Sequence, residues 1–536
     1  MKRDQKLPIG IQDFEKLRKD GCVYVDKTAH IYQLAQRGKP YFLARPARFG
    51  KSLLLSTMNA YFSGKRELFS GLAIEKLETR WERYPVFHLN MNVEFYKDME
   101  TFMSSWDTNL SALEAEWGRD EAELTLPSRF QGLIKRACQQ TGKGVVILVD
   151  EYDKPLLHAM DDEELRESIL VQLRGFYGVL KTADPYLHFV FFTGSTTSVY
   201  RNMYSSLNQL WNISMDEQYI GICGITDAEV ADRFDTGLRA LGEKEGATYE
   251  ETVAKMRWMY GGYRFSKEAQ CVYNPFCILN TFAKLNYGYY WFYPSNFHFW
   301  IRNLKMSKMY LPSFEGGIFA SQTDLIDYRL EEGDNIISFM FQSGYLTIRD
   351  YVPAIGLYTL GFPNEEIRLG FLKALLPIYL PEGNNQRFKS VVFLQDLYRG
   401  DVEGFMARLQ ACLSDADYAL EDKTECFYQT ALYLIFSLMS ESTDMKRQTA
   451  KGSASFMVGI ADIVYLFEFK MPGYGIASEA LRQIDEGGSL AGRDVRGKQL
   501  VKIGAAFGKD RGTLSEWLVE RHSASSDLLY LQSASR

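Results

Sequence analysis

The chain has 536 residues, 46% of them hydrophobic and 24% charged, an ordinary balance for a globular protein of two or three domains. A net charge of −7 supplies no global basic field to draw it to nucleic acid, so any basic groove must be local. Cys22, Cys138, Cys223, Cys271, Cys277, Cys412 and Cys426 are scattered without a Cys-x-x-Cys pair, which argues against a disulfide framework or zinc site and for a reducing cytoplasm. Met1–Lys6 leads into no apolar signal core, and no apolar run approaches ~20 residues, so no membrane span is expected.

Taken in order, Tyr24-Val25-Asp26-Lys27-Thr28 precedes a short helical pattern, with Asp26-Lys27-Thr28 reading as its cap. Tyr41-Phe42-Leu43 is a short apolar strand. It runs into Arg45-Pro46-Ala47-Arg48-Phe49-Gly50-Lys51-Ser52 and then a helix to about Phe62. Strand, tight loop, Gly-Lys-Ser, helix is the context of a phosphate-binding loop, although Arg45 stands where the full pattern has its first glycine. Backbone N–H groups at the helix start face the phosphates, and the helix dipole favours the same negative charge. In that reading Arg45, Arg48, Phe49, Gly50, Lys51 and Ser52 form the ATP site. Lys51 reaches the β- and γ-phosphates, and Ser52 ligates Mg²⁺.

A strand is expected over Pro85–Met91, and helices over 98–116 and 128–140. Gly144–Val149 is an uninterrupted apolar run that ends in Asp150-Glu151, the pattern of a central parallel strand whose C-terminal end lies at the ligand-binding edge of an open sheet. Asp150 is placed in the Mg²⁺ shell and Glu151 as the base that orients and deprotonates water. A helix over 163–182 precedes another buried strand, Leu187–Gly194, where Thr193 is positioned to sense the γ-phosphate. Arg201 and Arg264 are candidate charge stabilisers, each with the plainer reading of a surface arginine. Alternating strands and helices imply βαβ units and a parallel sheet.

From about 215 to 290 the pattern is helical, with Thr226 and Glu229 spaced as a capping box. Residues 290–385 are mixed. The last ~150 residues read as another domain, with a helix over 424–440, the apolar stretch Ser455–Lys470 and a strand Leu500–Phe507. Asp462 followed by Glu468-x-Lys470 is the constellation of metal-dependent phosphodiester cleavage, with Asp462 and Glu468 on the metal and Lys470 on the same strand face as Glu468. On one unbroken strand, however, Asp462 and Glu468 would stand about 20 Å apart and could share no ion.

These segments resemble a bacterial family that joins a divergent AAA-type ATPase-like domain to a C-terminal PD-(D/E)xK nuclease-superfamily domain. The resemblance rests on Ile9-Gly10-Ile11 with Asp13-Phe14, Tyr24–Thr28, Arg45-Pro46 with Arg48–Ser52, Asp150-Glu151-Tyr152-Asp153, Gly262-Tyr263 with Phe265, Tyr273-Asn274-Pro275, Gly344–Thr347 and Pro363–Glu366. It implies an α/β fold: a P-loop NTPase parallel sheet with a helical lid, then a smaller restriction-endonuclease-like α/β domain. The expected boundaries are 1–214 for the ATPase core, 215–385 for the lid and connector, and 386–536 for the nuclease-like domain.

The resemblance also implies ATP and Mg²⁺ as cofactors, nucleic acid (DNA or RNA) as a partner of the C-terminal domain, and an assembly compatible with a homo-oligomer. Carried over by position, Glu425, Asp462, Glu468, Lys470 and Gln483 form the nuclease-like site. Ile460 stands where the family carries arginine, Gln429 where it carries histidine, and the hairpin before Glu468 is short. Two readings follow. One is an ATP-hydrolysing protein whose nuclease-like domain acts on nucleic acid; the other is an ATP-dependent regulatory protein whose nuclease-like domain no longer cuts.

Overall fold

A computed structural model of the chain describes residues 6–38, 40–92, 95–197, 210–268, 270–292, 314, 317–326, 336–379, 390–414, 425–439, 444–450, 452–486, 498–508 and 513–522. The chain divides into two compact units. One comprises Met1–Trp291 and Gly317–Ile367; the other comprises Phe292–Gly316 and Arg368–Arg536.

The first unit is built on strands β1 (Pro40–Ala44), β2 (Val86–Asn90), β3 (Val145–Asp150), β4 (Leu187–Gly194) and β5 (Trp211–Asn212), hydrogen-bonded in the order β2-β3-β4-β1-β5 and all parallel. Every residue of β3 is buried, because helices cover both faces of a parallel sheet. With side chains alternating at period two, Val145, Ile147 and Val149 join one apolar cluster with Phe42, Phe87, Trp106, Phe130 and Phe176. Trp106 comes from helix α2 (Met99–Trp117) and Phe130 from α3 (Leu126–Thr141); Phe176 comes from α4 (Glu163–Thr182). Helix α1 (Lys51–Phe62) packs through Phe62 on Phe189, 4.9 Å between ring centroids.

Parallel alignment brings the C-terminal ends of β1, β3 and β4 to one edge. Arg45, Glu151 and Ser195 are the residues that follow them, so the loop after β1, the acidic pair and Thr193 meet there although they span about 150 positions of sequence. The strands β6 (Ile225–Thr226) and β7 (Val272–Tyr273) pair antiparallel beside α5 (Asp227–Glu245), α6 (Tyr249–Tyr260) and α7 (Pro275–Lys284). Thr226 and Glu229 form the expected capping box at the start of α5, which satisfies backbone N–H groups at that terminus. The antiparallel strands β8 (Ile318–Ala320), β9 (Thr347–Val352) and β10 (Leu357–Gly361) complete this unit's sheets, in the order β8-β10-β9.

The second unit contains helices α8 (Val402–Ser414) and α9 (Glu425–Met439) and a sheet in the order β11-β12-β13-β14-β15. Its strands are β11 (Asp444–Ala450), β12 (Ser453–Ile460), β13 (Ile463–Lys470), β14 (Gln499–Phe507) and β15 (Leu514–His522). All neighbours are antiparallel except β13 and β14, which are parallel. A parallel pair needs a crossover, and helix α10 (Ala477–Glu486) lies on it. Phe467 and Phe469 pack on Phe436 of α9, while Val464 and Leu466, on the opposite face of β13, cluster with Leu481 and Ile484 of α10.

Candidate functional site

At the edge of the first sheet, Gly50 is left-handed (φ +96°) and caps α1 directly. Glycine adopts this conformation without the Cβ penalty, and the turn exposes the first-turn N–H groups, which have no partner within the helix. Lys51 follows, 3% exposed. Its ammonium donates to the carbonyls of Arg45 (3.0 Å) and Pro46 (3.2 Å) and lies 3.5 Å from Glu151 Oε1. Ser52 is half-buried in the same turn.

Glu151 stands just past β3 with φ +53°, a left-handed conformation that costs a non-glycine residue roughly 1–3 kcal/mol. Burial raises its carboxyl pKa, but Lys51 and Lys154 (3.6 Å) outweigh it and hold the group below the usual carboxylate value. It is therefore ionised at neutral pH, as a base must be. Asp150 is 1% exposed, and its Oδ1 accepts a 2.7 Å hydrogen bond from the Thr193 hydroxyl. Asp153 anchors the segment after β4 by accepting from the N–H groups of Ser195 and Thr196 and from the Thr196 hydroxyl. Burial, then the nearby Glu151, push its carboxyl up to about 6. Gly194 lets this segment pass close to Tyr152, since an added Cβ would meet the ring at 2.4 Å.

Lys51, Asp150, Glu151 and Thr193 thus come together with the helix terminus. The side chains of Arg45 and Phe49 go elsewhere. Arg45, 1% exposed, donates to the carbonyls of Ala44 and Ser214 and lies over the Phe265 ring at 4.4 Å, and burial brings its guanidinium down to about 10. Phe49 is buried edge-on against Tyr263 and Phe265. What these two positions present to the loop is backbone. Arg48 has φ +65°, stacks on Phe276 at 4.2 Å and donates to the Tyr290 carbonyl. Arg264 is tied to the Arg349 carbonyl, and Arg201 lies outside the described residues. A predominantly apolar cavity of about 90 Å³ beside Gly50, walled by Tyr24, Val25, Leu53, Ile225 and Leu279, was not read from the sequence. Its residues are too far apart in the chain to form a motif. The donor set at this edge (an ammonium, two carboxylates, two hydroxyls and free N–H groups) fits a magnesium–nucleoside triphosphate.

The C-terminal constellation assembles differently. Glu468 is 1% exposed on β13, and its Oε2 accepts a hydrogen bond from the Ser455 hydroxyl on β12. Burial raises its carboxyl pKa against the opposing pull of Ser455, Ser453 and Lys470. Lys470, on the same face, donates to Gln483 Oε1 of α10. Glu425 accepts from the Gly452 N–H and from Gln429 Nε2, which also reaches the Ser453 carbonyl at 3.1 Å. Glu425, Glu468, Lys470 and Gln483 therefore belong to one region, bridged by Ser453 and Gln429.

Asp462 does not join them. It occupies the turn before β13, which runs unbroken to Lys470, so it stands at the far end of the strand from Glu468, about 20 Å away. A metal shared by Asp462 and Glu468 is geometrically excluded. Among the described residues no group of three or more His, Cys, Asp or Glu side chains is arranged to hold a metal ion, and the divalent cation that such a site would use does not fit the residues present.

A family model described as "Predicted AAA-ATPase" matches residues 8–203, and one described as "PD-(D/E)XK nuclease superfamily" matches residues 423–517. A protein of Azotobacter chroococcum mcd 1, described as an uncharacterized protein in the vnfD 5′ region, is 32% identical over 529 residues, covering 96% of this chain and 99% of that protein. Among the described residues no helix is long and apolar enough to cross a membrane.

Proposed function

Because this chain belongs to the family of AAA-ATPase-like proteins that carry a C-terminal PD-(D/E)XK nuclease-superfamily domain, we propose that it binds and hydrolyses ATP at the edge of its parallel sheet. The observation that carries this reading is the convergence of Lys51, Asp150, Glu151 and Thr193 on the N-terminus of α1. The loop N–H groups bind the phosphates, and Lys51 exchanges the Arg45 and Pro46 carbonyls for phosphate oxygens. Mg²⁺, held by Ser52 and Asp150, would supply neutralisation of the phosphate charge. Glu151, kept ionised by its two lysines, orients water and accepts its proton, and Thr193 holds Asp150 in place. The cavity beside Gly50 seats the base.

Purified protein should bind ATP at millimolar Mg²⁺ and turn it over. Lys51→Ala should lower turnover by on the order of 10²–10³ and weaken binding, because it removes the ammonium that this reading sets against the phosphates. Wild-type protein that binds no ATP under these conditions sinks the reading.

For the C-terminal domain, the separation of Asp462 from Glu468 favours the second of the two readings, an ATP-dependent regulatory protein whose nuclease-like domain engages nucleic acid or protein without cutting it. Its seat would be a cytoplasmic protein, alone or as a homo-oligomer.

A further inference from the structure

In the β12–β13 hairpin the register sets Ser453 opposite Lys470, Ser455 opposite Glu468, and Ile460 opposite Ile463. Directly opposed residues of an antiparallel pair share a face, with Cβ atoms about 4.5–5.5 Å apart. A second oxygen ligand for an ion at Glu468 must come from a place like that of Ser455. The chain supplies a hydroxyl there, and that hydroxyl already donates to Glu468. Within this hairpin the pattern Gly-x-Ala-x stands at Gly452-Ser453-Ala454-Ser455 and again at Gly459-Ile460-Ala461-Asp462. Only the second ends in a carboxylate, and only the first ends opposite Glu468.

The other groups at hand do not make good the deficit. Glu425 is engaged by the Gly452 N–H, Gln429 and Tyr474, and Lys470 brings a positive charge. Mg²⁺ and Mn²⁺ prefer several hard oxygen ligands and more than one negative charge. A single buried carboxylate, one oxygen of which is already taken by the Ser455 hydroxyl, is a poor start.

We propose that Ser455 is the residue that keeps divalent metal out of the C-terminal site: as it stands the site takes no Mg²⁺ or Mn²⁺, and a carboxylate at this one position creates a metal centre shared with Glu468. The inference rests on the regulatory reading of the domain and sharpens it to a single position.

The test is Mn²⁺ binding by the full chain without nucleotide, followed by calorimetry and by loss of the free-Mn²⁺ paramagnetic resonance signal. Wild type and Glu468→Gln should bind the same number of ions, because neither holds one at this site. Ser455→Asp should bind one more ion per chain than wild type, and adding Glu468→Gln to that variant should remove it. Ser455→Asn, of the same size without the charge, should fold alike and gain nothing. A wild type that loses one Mn²⁺ on Glu468→Gln overturns the proposal, as does a folded Ser455→Asp that gains none. Should Ser455→Asp not fold, Ser455→Glu takes its place, and the wild-type comparison decides independently.

ATP turnover in the same samples should be equal in wild type and Ser455→Asp. Its absence in both counts against the nucleotide reading alone. Cleavage of nucleic acid by wild type would refute the regulatory reading, whatever Ser455→Asp binds.

Discussion

The two polar sites of this chain are both built on sheets, yet they assemble by opposite rules. In the first unit, Lys51, Asp150 and Thr193 lie on or just past three parallel strands, far apart in sequence and together in space. In the second unit, Asp462 and Glu468 lie six positions apart in sequence, Asp462 in the turn before β13 and Glu468 near that strand's far end. A parallel sheet gathers its strand ends at one edge. A hairpin joins residues by register, so the partner of Glu468 is Ser455, thirteen positions upstream, rather than the aspartate nearest to it in the chain. Proximity in sequence is a poor guide to which carboxylates can share an ion; topology decides it.

That contrast can be pressed hardest at Glu151. Glu151→Gln keeps the shape of the side chain and removes its basicity, so ATP turnover should fall by on the order of 10²–10⁴ while nucleotide binding persists. Equal loss of binding and turnover would instead make Glu151 a ligand-positioning group. The next largest effect is on stability. Phe49 sits in the phosphate-loop motif but spends its side chain in the core, and Phe49→Ala should destabilise the first unit by about 3–5 kcal/mol in denaturant unfolding. An Ala variant as stable as wild type, yet unable to bind ATP, would return Phe49 to the ligand.

A smaller effect appears in pH dependence. The folded-state value of Asp153, about 6, lies above the unfolded carboxylate value of about 3.9, so its contribution to stability is fully present below about pH 4 and is lost as pH rises through about 6. The loss is on the order of 3 kcal/mol. Asp153→Asn should flatten this part of the pH profile of unfolding, and a slope that survives the substitution belongs to another group.

Much of the parallel sheet was legible because burial writes itself into composition. Gly144–Val149 is apolar throughout since both faces of β3 are covered, and the helix expected over 163–182 is the helix found, Glu163–Thr182. Strand β5 escaped notice because two residues, Trp211 and Asn212, leave no periodicity to detect. In the phosphate loop the positions were legible but not the division of labour. Nothing in Arg45-Pro46-Ala47-Arg48-Phe49 says that two of these side chains turn inward, Arg45 to Phe265 and Phe49 to Tyr263. The apolar cavity draws its walls from segments distant in the chain, and the pairing of Ser455 with Glu468 depends on where the hairpin turns. Both are consequences of register and packing, which periodicity alone does not encode.

The most direct test of the contrast between the two sites is cleavage of labelled single- and double-stranded DNA and RNA by the full chain, in Mg²⁺ or Mn²⁺, with ATP turnover followed in the same tube and Lys470→Ala run beside wild type. The account predicts ATP turnover in both proteins and no cleavage that depends on Lys470. Cleavage by wild type that Lys470→Ala abolishes would contradict it.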